Sequence, residues 1–125
     1  MMGIRGIGVD VVDVERMKKI LQDQGGAFVS KVFTEKEIAY CRSRKNPNEH
    51  FAARFAAKEA VSKAMQKGWS GEFRWKDIEV MNEPSGAPRI VLYGELARLL
   101  EGTKVHLSLS HTEKTVVAFS IIEEG

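Results

Sequence analysis

The chain has 125 residues, 43% of them hydrophobic and 29% charged, with a formal net charge of +2. That size and composition suit one globular domain spanning 1–125 with a sizeable core. No apolar run approaches the roughly 18 residues of a membrane span and no signal-peptide pattern opens the chain, so a soluble, cytoplasmic protein is expected.

Residues 3 to 12 read as a strand, in which Gly6-Ile7-Gly8-Val9-Asp10-Val11 is apolar and β-prone yet contains a carboxylate. An acid in that setting must be paired, act as a cap or bind a metal. Asp13 is the better cap for the helix that follows, Val14 to Gln24, which carries Val14, Met17, Ile20 and Leu21 on one face and closes at Gly25-Gly26. Thr34 and Glu37 form a capping box opening a second helix that ends before Pro47. Cys41 lies in that helix as a structural thiol. As the only cysteine it leaves no internal disulfide, no CxxC motif and no cysteine zinc site.

A long helix is expected from about Glu49 to Lys67, stopped by Gly68, and its segment FAARFAAKEAVSKA is unusual. Ala53, Ala57, Ala60, Val61 and Ala64 share one half of the helix, while Phe51, Arg54, Phe55, Lys58, Glu59 and Lys63 lie on the other. The alanines let a neighbouring backbone come close. Phenylalanines mixed with cations suit a ligand or another subunit better than bulk water. Glu59 and Lys63 also have the spacing of an ordinary i,i+4 pair, worth about 0.2–0.5 kcal/mol when exposed.

Two strands follow, Asp77 to Met81 and Arg89 to Tyr93, joined by the turn-rich connector Asn82-Glu83-Pro84-Ser85-Gly86-Ala87-Pro88. A short helix, Glu95 to Leu100, precedes a final strand pair, Val105 to Ser110 and Thr115 to Glu123, that turns near His111. This order of elements is an α+β fold. His111 ends its strand, where sites are often built or where a polar turn residue simply sits. Ser108 and Ser110 face one side, and their hydroxyls suit either phosphate oxygens or a polar sheet face. No GxSxG elbow, Walker A or Rossmann glycine pattern is present.

Charge is unevenly divided: residues 1 to 63 hold twelve Lys and Arg against eight Asp and Glu, and residues 64 to 125 hold seven against nine. Arg16, Lys18 and Lys19, with Arg42, Arg44 and Lys45, make a candidate patch for an acidic partner. Two readings compete with catalysis. A nucleic-acid module would use Phe51, Arg54, Phe55 and Lys58 as interleaved aromatics and cations, but leaves Asp10 and Glu59 without a purpose. An oligomerisation domain would tolerate Glu59→Gln.

Three segments carry a family resemblance. Gly6-Ile7-Gly8-Val9-Asp10 with Arg16, Arg54-Phe55-Ala56-Ala57-Lys58-Glu59-Ala60 with Lys63, and Ser108-Leu109-Ser110-His111 resemble the three signatures of the small bacterial-type holo-acyl-carrier-protein synthases, a branch of the 4′-phosphopantetheinyl transferases. The resemblance runs from the first strand to the last. It implies a small antiparallel sheet packed on a long central helix, and transfer of phosphopantetheine from coenzyme A to a serine of apo acyl carrier protein, releasing adenosine 3′,5′-bisphosphate, in fatty acid biosynthesis.

Under the resemblance, Asp10 and Glu59 hold Mg²⁺ or Mn²⁺, a hard cation that needs only one or two protein carboxylates beside phosphate oxygens. Lys63 faces the same phosphates. Arg54 and His111 contact coenzyme A, plausibly its 3′-phosphate, the connector with Gly86 and Pro88 lines an adenine pocket, and Arg16 pairs with the acidic carrier protein. The serine needs a base, for which Glu59, Asp10 and a metal-bound water relay are candidates; the relay is favoured, because a carboxylate tied to Mg²⁺ is a poor base. A homotrimer with active sites between subunits is also implied, giving Phe51 and Phe55 a partner surface; neither nucleic acid nor membrane is. Gln66-Lys67-Gly68 and Thr115-Val116-Val117-Ala118 depart from the family pattern, and so bear on pantetheine packing rather than on the proposed metal ligands.

Overall fold

The computed structural model describes residues 3–65 and 74–125. Strand β1 (Ile4–Asp13) turns Gly6, Gly8, Asp10 and Val12 inward and Ile7, Val9 and Val11 outward, the two-residue period of a strand. Asp13 caps helix α1 by accepting from the Glu15 backbone N–H at 2.9 Å.

Helix α1 (Val14–Val32) is two helical segments joined at a kink, and the first closes at Gly25 as expected. Gly25 takes φ 54° and ψ −134°, a non-helical conformation, and the chain re-enters a helix beyond it. Beyond the kink, Val29 and Val32 are buried and Phe28 packs against Phe33 and Phe55, so core burial carries the helix on. Helix α2 (Glu35–Arg42) has the expected capping box: Thr34 Oγ1 accepts from Glu37 N–H at 3.2 Å and Glu37 Oε1 accepts from Thr34 N–H at 2.9 Å. Cys41 is fully buried, and burial pushes its thiol up to about 12, the behaviour of an inert structural cysteine.

Helix α3 (Pro47–Ala64) starts two residues before its expected Glu49, because proline's fixed φ and missing N–H suit the first helical position. The expected stop at Gly68 and the Gln66-Lys67-Gly68 departure lie outside the described residues. A 3₁₀ turn (Trp75–Asp77) leads into β2 (Ile78–Asn82), β3 (Pro88–Leu92), α4 (Gly94–Leu99), β4 (Thr103–His111) and β5 (Thr115–Glu124). Asp77 and Tyr93, expected in strands, sit in the turn and at the N-cap of α4, tied by Tyr93 N–H donating to Asp77 C=O at 2.9 Å.

Strands β1, β5 and β4 pair antiparallel in that order, and β2 with β3 forms a separate antiparallel ribbon. Helix α3 lies across the inner face of the three-stranded sheet. Gly6 and Gly8 permit this closeness: a Cβ on either would collide with the backbone carbonyl of Ala64 or Ala60. The two-sided reading of α3 is also corrected, since the helix is buried nearly all round. Ala52, Ala56, Ala57, Ala60, Val61 and Ala64 are fully covered, but so are Lys58 and almost all of Arg54.

Phe51 was expected to meet a subunit or cofactor and instead lies in the core, its ring 5.0 Å from that of Phe33. The continuation of α1 past Gly25 brings this cover. Phe55 is half-buried between Phe28 and Trp75, with centroids at 5.8 and 5.5 Å. The outer sheet face is the apolar surface left open: Ile7, Val9 and Val11 on β1 and Val117 and Phe119 on β5 are 36–61% exposed, with Val9 opposite Phe119 and Val11 opposite Val117.

Candidate active site

The inward parity of β1 aims Asp10 at α3, and the bare Gly6 and Gly8 bring that helix close enough for Glu59 to share a cleft with it. Both carboxylates line a cavity of about 460 Å³ together with Asp13, Arg16, Met17, Ile20 and Phe55. The Glu59 carboxyl lies above the usual carboxylate range, first because burial disfavours its charge and then because Asp10 repels it, with Lys63 acting in the opposite direction. Lys63 does not form the simple i,i+4 pair. Its Nζ reaches across to β1, 2.9 Å from Asp10 Oδ1, and also donates to the Val9 carbonyl at 3.3 Å. The hydrogen bond to Asp10 is the main reason the Lys63 ammonium holds its proton above the ordinary lysine range.

Two carboxylates share this partly covered cleft, with the one ammonium paired to Asp10, and both offer hard oxygen donors. The set fits Mg²⁺, which keeps several waters and takes one or two carboxylates beside phosphate oxygens. It does not fit a metal that requires a full protein cage, because no group of three or more His, Cys, Asp or Glu suited to a metal occurs among the described residues.

Arg54 stands in a second cluster. It is 3% exposed, donates from Nη2 to Asn82 Oδ1 at 2.7 Å and places its guanidinium 4.1 Å from the Tyr40 ring centroid. Its buried Nε has no hydrogen-bond partner among the described residues. Asn82 Nδ2 donates in turn to the Gly86 carbonyl at 3.0 Å, and Pro88 faces Asn82 across the ribbon, so Arg54 and the predicted connector meet through one asparagine. Arg44, also stacked on Tyr40 at 4.4 Å, and Lys36 line the adjoining cavity of about 450 Å³ with Arg54. Tyr40 and Asn82 had no sequence signal of their own, though Tyr40 and Arg44 have the i,i+4 spacing of neighbours on a helix.

His111 ends β4 with Nδ1 3.2 Å from Glu49 Oε1 near the start of α3. The neighbouring His50 is held below the usual histidine range, first by burial and then by Arg54, with Arg44 and His111 adding to the effect and Glu49 opposing it. His111 and Arg54 therefore share the N-terminal end of α3, while Asp10, Glu59 and Lys63 share its other half. Five helical positions separate Arg54 from Glu59, about 140° around the axis and about 7.5 Å along it. The two clusters therefore lie on different sides of one helix. Between them Lys58 is enclosed, its Nζ 2.8 Å from Glu37 Oε1 and donating to the carbonyls of Trp75, at 3.1 Å, and Ile78.

An α+β protein with a carboxylate on its first strand, and a Lys-Glu pair followed one turn later by a lysine on its central helix, is a narrow class. Residues 6–120 match the family model of the 4′-phosphopantetheinyl transferase superfamily, and the chain belongs to that family. Among similar proteins, the holo-[acyl-carrier-protein] synthase of Koribacter versatilis is 45% identical over 124 residues, covering 97% of this chain and 99% of that protein. That of Syntrophus aciditrophicus is 44% identical over 96% of both. Among solved structures, the Neisseria meningitidis synthase superposes with a TM-score of 0.89 at 32% identity, covering 96% of this chain and 98% of its own. The Bacillus anthracis synthase, determined in complex with CoA (3′,5′-ADP), gives a TM-score of 0.84 at 35% identity over the full length of both chains.

Proposed function

We propose that this chain, acting as one domain over 1–125, is a holo-[acyl-carrier-protein] synthase. It transfers 4′-phosphopantetheine from coenzyme A to a serine hydroxyl of apo acyl carrier protein, and releases adenosine 3′,5′-bisphosphate. Its place is in cytoplasmic fatty acid biosynthesis; no helix among the described residues is long and apolar enough to cross a membrane. The observation that carries the reading is the cleft in which Asp10, Glu59 and Lys63 converge from β1 and α3.

The serine hydroxyl gives up its proton through a water relay in the cleft, its oxygen forms a bond to the phosphorus bearing the pantetheine arm, and the pyrophosphate P–O bond breaks with its electron pair going to the adenosine bisphosphate. Asp10 and Glu59 would hold Mg²⁺ or Mn²⁺, which supplies positive charge to the pyrophosphate oxygens. Lys63 offsets charge growing on the leaving phosphate. Arg54, with its unpartnered Nε, and His111 grip the 3′-phosphate, where a guanidinium fork and an imidazole N–H both suit phosphate oxygens. The connector with Gly86 and Pro88 lines the adenine pocket. Arg16, on the rim of the carboxylate cavity, meets the acidic carrier protein, a contact that chiefly sets association rate and salt dependence.

The assembly is a homotrimer whose active sites lie between subunits. Two features support this: the two clusters diverge around α3, and the open apolar face of β1 and β5 is the sort of surface that another subunit covers. The nucleic-acid alternative loses its surface, because Phe51, Arg54 and Lys58 are buried rather than displayed. The test is a mass-shift assay on apo acyl carrier protein with coenzyme A and Mg²⁺. Phosphopantetheine addition is expected, and its absence rejects the reading; light scattering giving a monomer at micromolar concentration rejects the trimer alone.

A further inference from the structure

Lys63 is one turn beyond Glu59 on the same helix, yet its ammonium is spent on Asp10. It crosses from α3 to β1 to sit 2.9 Å from Asp10 Oδ1, with the Val9 carbonyl, at 3.3 Å, as its one further hydrogen-bond acceptor among the described residues. The Lys63 side chain is 53% exposed and that of Asp10 15%, so the pair joins a lysine in solvent to a largely covered carboxylate. An ion pair so open is weakly held: water replaces the lysine's hydrogen bonds at little cost.

We propose that Lys63 is a built-in stand-in for the cation: it neutralises Asp10 while the cleft is empty of metal, and a hard divalent ion displaces it onto the phosphate side. The proposal rests on Asp10 and Glu59 being the metal carboxylates. A divalent ion binds a carboxylate oxygen at about 2.0–2.1 Å and brings twice the ammonium's charge. With both cations on the one Asp10 carboxylate, their mutual repulsion falls on the partner that solvent most readily accepts, which is Lys63. The displaced ammonium then has two anionic neighbours, Glu59 one turn back and any phosphate lying over the cleft. Lys63 becomes available to phosphates only after the cation has entered, so the exchange orders assembly of the site as cation first and pyrophosphate second.

The test uses the full chain in crystals grown with and without Mn²⁺, in the absence of coenzyme A, and titration calorimetry of Mn²⁺ with the natural chain and Lys63→Met. With Mn²⁺ on Asp10, the Lys63 Nζ to Asp10 distance is expected to open beyond 4 Å, and removal of the competing ammonium is expected to tighten Mn²⁺ binding roughly 1.5- to 5-fold. Mn²⁺ bound with the ion pair still closed, or unchanged or weaker binding by Lys63→Met, overturns the exchange and leaves the metal site standing. Failure of both proteins to bind Mn²⁺ without coenzyme A overturns the cation-first exchange, and failure that persists when adenosine 3′,5′-bisphosphate is added overturns the metal reading as well. Binding by Lys63→Met alone supports the exchange in its strongest form.

Discussion

Helix α3 carries two lysine–carboxylate pairs of nearly equal length and opposite character. Lys58 meets Glu37 at 2.8 Å with both side chains wholly enclosed, whereas Lys63 meets Asp10 at 2.9 Å with the lysine half in water. The enclosed pair is saturated. Lys58 also donates to two carbonyls, and Glu37 also accepts from the Thr34 and Val80 backbone N–H groups, so one node fastens α2, α3, the 3₁₀ turn and β2. Burial holds the Lys58 ammonium below its ordinary range even though Glu37 opposes that shift. The open pair is unsaturated, with a second carboxylate beside it and a cavity in front. Distance alone does not separate a structural pair from a reactive one; the separation comes from whether either partner can let go.

The largest expected effect is on the enclosed pair. Lys58→Met leaves Glu37 charged and buried, which should destabilise the fold by about 3–5 kcal/mol in urea unfolding; a loss below about 1 kcal/mol would break the contrast. On the open pair the effect moves from stability to chemistry. Asp10→Asn should cost less than about 1 kcal/mol of stability, since an exposed pair contributes little. Carrier-protein modification should nevertheless fall roughly 10²–10³-fold, the range expected when a charge-stabilising group is lost. Comparable losses of stability and rate in the one variant would show the two pairs to be alike.

Gly8→Ala tests what brings the open pair together. Its Cβ would strike the Ala60 carbonyl, and backbone cannot move aside as a side-chain end can, so α3 must lift from β1. About 1–3 kcal/mol of destabilisation is expected, with a fall in activity as Asp10 and Glu59 separate. Full activity in a destabilised Gly8→Ala protein would mean that the carboxylates do not depend on this close approach.

The same contrast explains what could be read in the sequence. The Thr34/Glu37 capping box and the Asp13 cap are local patterns, and the structure follows them. The Gly25-Gly26 stop is also a local reading and it holds, since Gly25 leaves the helical conformation; the second helical segment beyond it, with Val29 and Val32 buried in the core, is what the glycines do not announce. Partners were beyond reach for a related reason. Spacing pairs Lys63 with Glu59, but the chain gives it Asp10, 53 positions away, and gives Arg54 the distant Asn82. The residues of the proposed site stood out because their charges contradict a buried helix, but their division into two clusters depends on how that helix is covered.

The smallest expected effect has the reverse sign. The Glu59 carboxyl is raised above its unfolded value, so its contribution to stability is fully present below the unfolded carboxylate range and is lost as pH rises through its folded value. In the metal-free protein at about pH 7, ionised Glu59 is therefore a burden, and Glu59→Gln should raise the melting temperature slightly while abolishing carrier-protein modification. At about pH 4 or below, where Glu59 is largely protonated in both folded and unfolded chains, the gain should vanish. Under the proposed metal site, saturating Mg²⁺ should stabilise the natural protein but not Glu59→Gln, because only the former has both of the carboxylates that would hold the ion. A stabilisation by glutamine that persists unchanged at low pH would trace the effect to packing rather than charge, and would place Glu59 with the enclosed Lys58–Glu37 pair instead of the open one.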